Sequence, residues 1–237
     1  TPQTPLQSAS LIFKWRTILL WNVSKSETIT TQWLGRIDYD RALEIQNELV
    51  AAIRAGDTGP QLLLLEHEPV YTIGRTRDQS SLRDVALLPH PVREINRGGQ
   101  ATYHGPGQLV GYPILDLHNH GRDLHRYLRF LEAVLIDVLG EFGVAGKRSE
   151  GLTGVWVEDR KIVSIGVGVR HWITMHGFAL NVTAEVDGFS NITPCGIAGV
   201  QMTSIEAETG RPANVREVAD VAARRFIERL PDLSQPS

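Results

Sequence analysis

A passage dense in glycine, residues 97–113, is the feature that most constrains how this 237-residue chain folds. It contains five glycines with one arginine and one histidine, among residues typical of strands. Glycines at this density weaken regular helix and strand, and they occur where the backbone turns tightly or approaches a ligand closely. The passage therefore predicts a strand, a turn and a second strand that together cradle a ligand.

The composition narrows the class of protein. Apolar residues make up 42% of the chain and charged residues 22%, which is ordinary for a globular protein and sufficient for one α/β domain. We expect this domain to span residues 27–232. No apolar run reaches the roughly 18 residues that a membrane span needs. The formal net charge of -3 and the lack of a basic cluster disfavour nucleic acid. We therefore expect neither a membrane nor nucleic acid as a partner.

The first 26 residues differ from the rest, because they contain three basic residues and no acidic one. This composition is typical of an organellar transit sequence and equally of a poorly ordered tail, so both origins stay open. We expect residues 1–26 to form a flexible extension. The single cysteine, Cys195, excludes an internal disulfide and fits a reducing compartment, so we expect an intracellular protein.

Apolar periodicity predicts a mixture of helices and strands. The helices are expected at 39–53, 123–142 and 214–230. The strands are expected at 61–65, 70–74, 109–117, 154–157, 161–169 and 173–182. Because these elements alternate irregularly, the pattern favours an α/β fold of the α+β type, with mixed sheets and flanking helices, over a Rossmann or barrel fold.

Two residues are candidates for nucleophilic chemistry. Cys195 lies between Pro194 and Gly196, where proline sets the approach of the chain and glycine leaves a backbone N–H open to a carbonyl oxygen. A lone cysteine is also commonly an inert buried residue. Lys161 shares a strand face with apolar residues, where desolvation favours the neutral amine and proton exchange with a thiol. The alternative is that Lys161 only solvates the end of a hairpin.

The histidines give weaker signals. His104 precedes a Gly-Pro-Gly turn and either orients a substrate carbonyl or caps a local one. His118, His120, His171 and His176 lack a further ligand at a zinc spacing. The segment 140–147 departs from a phosphate-binding loop at its first glycine and after its lysine. We expect no metal and no nucleotide cofactor.

Taken together, these motifs resemble those of the octanoyltransferases of bacteria and plastids, also called lipoyl(octanoyl) transferases or lipoate-protein ligase B. The resemblance covers about residues 37–230 and is carried by segments 66–75, 97–110, 154–162, 176–181 and 194–197. It implies the α/β fold shared by biotin and lipoate protein ligases. It also implies a cytoplasmic enzyme, or alternatively one of the plastid stroma.

The resemblance assigns roles to individual residues. Cys195 would take an octanoyl group from octanoyl-acyl carrier protein as a thioester, and Lys161 would act as its acid/base partner. The acceptors would be lysines of apo lipoyl domains, in 2-oxoacid dehydrogenase complexes and the glycine cleavage H protein. The implied substrate-binding residues are Arg97, Gly98, Gly99, Gln100, Ala101, Thr102, Tyr103, His104, Ser164, Ile165, Gly166, Gly177, Phe178 and Ala179.

Two other functions compete with this one. An ATP-dependent lipoate or biotin ligase on the same fold would activate a free acid and would not require the Pro-Cys-Gly segment. A non-catalytic module that holds a carrier-bound acyl chain would not require the pairing of Cys195 with Lys161. Consumption of ATP with free octanoate distinguishes the first alternative from the transferase.

Overall fold

Strands dominate the part of the chain that the computed structural model describes, which comprises residues 28–75, 79–183, 187–196 and 199–234. The strands are β1 (Thr30–Ile37), β2 (Gln61–His67), β3 (Val70–Ile73), β4 (Val92–Glu94), β5 (Thr102–His104), β6 (Gln108–Ile114), β7 (Lys147–Ser149), β8 (Leu152–Val157), β9 (Arg160–Arg170), β10 (Ile173–Asn181) and β11 (Gln201–Met202). The helices are α1 (Tyr39–Ala55), α2 (Leu124–Glu141), α3 (Ile205–Thr209) and α4 (Val215–Ser234). The predicted N-terminal extension lies outside the described residues.

These strands form two sheets. The larger has the order β1-β2-β6-β10-β9-β8-β7, and β11 pairs in parallel with the start of β9. Its β1-β2 pair is parallel, and the pairs from β2 to β7 are antiparallel. The smaller sheet has the order β4-β3-β5. The large sheet is therefore mixed, as the sequence predicts.

Strand β2 shows how the large sheet is covered on both faces. Leu62 and Leu64 pack in a core cluster with α2 and α4, whereas Leu63 and Leu65 pack in a second cluster under α1. Successive side chains of a strand point to opposite faces, so a strand between two layers must be apolar throughout. This explains the unbroken apolar run of β2.

Polar caps set the helix boundaries. The Asp38 carboxylate accepts hydrogen bonds from the backbone N–H groups of Asp40 and Arg41, at 2.8 and 3.2 Å, and α1 ends at Gly56 with a φ of 80°. Asp123 caps α2 in the same way through the N–H of Arg126 at 3.0 Å.

No helix within the described ranges is both long and apolar enough to cross a membrane.

The three predicted helices and six predicted strands are confirmed, with shifted ends. Strand β6 ends at Ile114 rather than at 117, because the Asp116 carboxylate accepts from the N–H of His118 at 2.9 Å and starts a short 3-10 turn. Helix α4 continues to Ser234, beyond the predicted end at 230. The sequence patterns did not predict β1, β4, β7, β11 or α3, whereas β5 is the first strand expected in the glycine-rich passage.

Candidate active site

A cavity of about 270 Å³ is lined by residues of both sheets. The smaller sheet and the loop before β5 form one side, and β6, β8, β9 and β10 form the other. Twelve residues assigned to the site from sequence line it: Arg97, Gly99, Gln100, Thr102, His104, Lys161, Ser164, Ile165, Gly166, Gly177, Phe178 and Ala179. The structure thus brings three remote segments of the chain to one place.

Three other residues assigned to the site do not line the cavity. Ala101 and Tyr103 pack in the core of the smaller sheet, because strand alternation turns them away from the face that carries Thr102 and His104. The backbone N–H of Gly98 donates to the carbonyl of Val167 at 3.2 Å. Their binding role stays a prediction, and their observed contacts support the shape of the wall.

The buried Arg97 side chain holds the glycine passage in shape. Its Nη2 donates to the carbonyl and hydroxyl of Thr72 and to the carbonyl of Gln100, each at 3.0 Å, and its Nη1 donates to the carbonyl of Gly98 at 2.9 Å. A β-carbon at Gly166 would lie 2.9 Å from Cδ of Arg97, so glycine there makes room for the guanidinium group. The Arg97 guanidinium group therefore joins Gly98 and Gln100 of the passage to Thr72 of β3.

Lys161 lies at the start of β9, 3% exposed, with its side chain at the cavity wall. Its Nζ is 5.3 Å from the centroid of the Trp156 ring, which is within cation–π range. The Lys161 carbonyl accepts from the N–H of Thr203 at 3.0 Å, and its backbone pairs with Met202 of β11. The Lys161 amine is therefore shielded from bulk water by the Trp156 ring and lies beside the cavity.

The backbone of Cys195 lies in a 3-10 turn, Pro194–Gly196, and its side chain lies outside the described part of the structure. The turn is tied to the cavity wall on one side by the Thr193 N–H, which donates to the Ser81 carbonyl at 2.8 Å. The Ser81 hydroxyl donates in turn to Oε1 of Gln100 at 3.0 Å. A β-carbon at Gly196 would lie 2.8 Å from Cγ of Gln100. The cysteine turn therefore adjoins a residue that lines the cavity.

Sequence reasoning did not assign Tyr39, His67 and Tyr112 to the site, and their rings form a buried cluster with the ring of His104. His67 Nδ1 donates to the carbonyl of Ile37 at 3.0 Å, because that oxygen only accepts, and His67 Nε2 therefore accepts from the Tyr112 hydroxyl at 2.7 Å. The His67 ring lies 5.0 Å from the Tyr39 ring and 5.7 Å from the His104 ring, between centroids. His67 lies in the segment 66–75 and Tyr112 in the glycine passage, whereas Tyr39 only begins a helix and gives no sequence signal.

Burial keeps these rings neutral. Burial lowers the pKa of His67 to about 4, and burial with the nearby Arg97 charge lowers the pKa of His176 to about 4. Burial lowers the pKa of His104 to about 3, with His67 adding to the effect. The same burial raises the pKa values of Tyr39 and Tyr112. This end of the cavity thus offers uncharged hydrogen-bonding groups at neutral pH.

Several polar atoms of the cavity lining have no hydrogen-bond partner among the described residues. They are the hydroxyls of Tyr39, Thr102 and Ser164 and Nδ1 of His176. Buried polar atoms are nearly always paired, so such a group beside a cavity indicates a place for a ligand or water. In the described ranges, no three His, Cys, Asp or Glu side chains come together in a way that could hold a metal ion.

Comparison with known families assigns the class of this fold and site. Residues 38–227 match the lipoyl protein ligase A/B catalytic domain. The chain therefore belongs to that family. An octanoyltransferase of Geotalea uraniireducens is 55% identical over 193 residues, which cover 81% of this chain and 89% of that protein. An octanoyltransferase of Geobacter metallireducens is 53% identical over 204 residues, which cover 84% and 94%. The resemblance to octanoyltransferases expected from the sequence is confirmed.

Solved structures show the fold at much lower identity. The bi-partite lipoate protein ligase of Thermoplasma acidophilum superposes with a TM-score of 0.64 at 17% identity, covering 84% of this chain and 82% of that one. The biotin protein ligase of Aquifex aeolicus gives 0.53 at 13% identity, covering 90% and 73%. The expected α/β fold of biotin and lipoate protein ligases is confirmed.

Proposed function

We propose that this protein is an octanoyltransferase that moves an octanoyl group from octanoyl-acyl carrier protein to a lysine of an apo lipoyl domain. The observation that carries the proposal is the buried Lys161 at one wall of a cavity whose other wall is the glycine passage. The Pro-Cys-Gly turn packs against Gln100 of that passage. The identity to octanoyltransferases over most of their length supports the same reaction.

The proposed reaction has two acyl transfers. Lys161 takes the proton of the Cys195 thiol, and the thiolate attacks the carbonyl carbon of the incoming thioester. The bond from that carbon to the carrier sulfur breaks, and the proton held by Lys161 passes to the departing thiolate. The neutral amine of the acceptor lysine then attacks the Cys195 thioester and loses one proton to Lys161, the bond from the carbonyl carbon to the Cys195 sulfur breaks, and Lys161 passes that proton to the departing thiolate as the amide forms. A thioester arrives already activated, so no ATP is consumed.

The glycine-containing strand segments suit this substrate. Gly166 and Gly177 line the cavity, and the absence of their β-carbons lets Arg97 and the Gly111 carbonyl pack closely against this wall, while Ile165 and Phe178 give it apolar surface. Burying the carbons beyond an octanoyl carbonyl contributes about 5 kcal/mol, at about 0.8 kcal/mol for each methylene group. The acceptors we propose are the lipoyl domains of 2-oxoacid dehydrogenase complexes and the glycine cleavage H protein. Because a lone cysteine fits a reducing compartment, we place the reaction in the cytoplasm.

Intact-mass spectrometry tests the proposal directly. The wild-type protein incubated with octanoyl-acyl carrier protein should gain one octanoyl group, which hydroxylamine removes and an apo lipoyl domain accepts. Cys195→Ala should gain none, and Lys161→Ala should gain it at least about 100-fold more slowly. Acylation of Cys195→Ala at the wild-type rate would contradict the proposal.

The structural neighbours include ligases bound with ATP, so an ATP-dependent ligase is the second candidate. A lipoate-protein ligase A bound with ATP superposes on this fold with a TM-score of 0.70 at 15% identity. A ligase would consume ATP with free octanoate and would lipoylate or octanoylate an acceptor without a carrier thioester. Transfer from free octanoate that depends on ATP, with none from the carrier thioester, would replace the transferase with this candidate.

A further inference from the structure

A fully buried carboxylate, Glu132, lies on α2 behind the wall of the cavity. Its Oε2 accepts from Nη1 of Arg129 at 2.7 Å and from Nε of Arg148 at 3.0 Å. Its Oε1 accepts from the backbone N–H of Gly154 at 3.1 Å. One side chain thus joins a helix, strand β7 and strand β8.

Gly154 connects this carboxylate to Lys161. Its φ of 124° lies in a region that side-chain-bearing residues rarely adopt. A β-carbon there would lie 2.8 Å from Cε of Lys161 and would also collide with the carbonyl of Val163. The last carbons of the Lys161 side chain therefore rest directly on the Gly154 backbone. The two residues before Gly154, Leu152 and Thr153, line the cavity.

The burial of Glu132 needs a reason beyond packing. Removing a carboxylate from water costs several kcal/mol, and an apolar residue at the same helix position would bury with Leu131 and Leu135 at no such cost. The two arginines that pair with Glu132 are about half exposed, with side-chain exposures of 51% and 46%, and can be hydrated without it. The bond that has no replacement is the one to the Gly154 N–H, which water does not reach.

We propose that Glu132 is a positioning residue that acts on Lys161 through Gly154. By holding the Gly154 peptide, its carboxylate fixes the surface on which the lysine side chain lies and thereby the place of the amine beside the cavity. This inference rests on the proposed function, in which Lys161 exchanges a proton with Cys195. A displacement of about 1 Å at such a site costs up to about 100-fold in rate.

The test compares Glu132 variants with a matched control on the same helix. Glu132→Ala removes the acceptor, Glu132→Gln keeps an oxygen for the Gly154 N–H, and Glu141→Gln removes a partly exposed carboxylate paired with Arg224 and Arg225. The readout is the rate of single-turnover acylation by octanoyl-acyl carrier protein, measured by intact mass against pH and donor concentration. We expect Glu132→Ala to slow acylation about 10- to 100-fold and to shift its pH profile, with the half-saturating donor concentration unchanged. Glu132→Gln should stay within about threefold of wild type, and Glu141→Gln should match wild type.

The outcomes separate the two proposals. Wild-type protein that is not acylated at all rejects the proposed function. Wild-type protein that is acylated, with a folded Glu132→Ala at the same rate and pH profile, overturns the role of Glu132. Equal slowing in Glu132→Ala and Glu141→Gln also overturns it, since it would reflect a general loss of stability. If Glu132→Ala does not fold, Glu132→Leu takes its place, because it fills the space without supplying an acceptor, and the same outcomes apply.

Discussion

Three histidines buried without charge should make the stability of this protein strongly dependent on pH. An unfolded chain binds a proton on each histidine near pH 6.5, whereas the folded protein keeps His67 and His176 neutral down to about pH 4 and His104 down to about pH 3. Between these values the unfolded state binds more protons. The free energy of unfolding therefore falls as pH falls below about 6.5. The full stability of the protein with its three neutral histidines is present only above that pH.

The size of the effect follows from linkage. Each such histidine changes the free energy of unfolding by about 1.4 kcal/mol per pH unit once pH is well below 6.5. From pH 7 to pH 5 this amounts to about 2 kcal/mol for one histidine and about 6 kcal/mol for all three. A domain has only about 5 to 15 kcal/mol of stability in total. We therefore expect the protein to lose a large part of its stability by pH 5.

His176→Asn isolates one of the three contributions. His176 has a φ of 58°, and asparagine tolerates this left-handed backbone better than other residues. Urea unfolding followed by tryptophan fluorescence at pH 7, 6 and 5 should show a loss of unfolding free energy from pH 7 to pH 5 that is about 2 kcal/mol smaller in the variant than in wild type, or about 1 kcal/mol per pH unit on average. His125→Asn, at an exposed position on α2, controls for the substitution itself. Equal slopes for His176→Asn and wild type would refute the reasoning.

Two further substitutions test the frame of the site. Arg97→Lys replaces a guanidinium group that donates at least four hydrogen bonds with a single ammonium. It should lower the free energy of unfolding by about 2 to 3 kcal/mol and raise the donor concentration needed for half-maximal acylation. Urea unfolding and a donor titration that both match wild type would contradict this. Leu135→Ala, in the fully buried core against α4, should cost about 2 to 5 kcal/mol while acylation of the folded protein proceeds at the wild-type rate, and a slower rate at full folding would show that this core and the site are coupled.

Local patterns in the sequence predict most of the secondary structure. Helix α2 follows from apolar residues at helical spacing, and β2 follows from an unbroken apolar run between turn residues. The three-residue strand β4 gave no such pattern, because its pairing with β3 depends on contacts between remote segments. The order of strands in the large sheet is likewise a property of packing rather than of any one segment.

The sequence likewise indicates some residues of the site and not others. The glycine passage is visible in sequence because glycine marks close approach of the backbone, and twelve of the residues assigned from sequence do line the cavity. Ala101 and Tyr103, which the resemblance assigns to the site, lie in the core of the smaller sheet because of strand alternation, and their binding role stays a prediction. Glu132 interrupts the apolar face of α2 and gives a signal only once its three bonds are seen.

The cavity has one wall from each sheet, so an acyl group that filled it would contact both sheets. An acyl group in this position would link the two sheets, and its binding free energy would add to the free energy of unfolding. Loading the protein with its cargo should therefore be readable as a rise in melting temperature, and unloading as its return. Thermal melting would then report loading without a labelled donor or a purified acceptor.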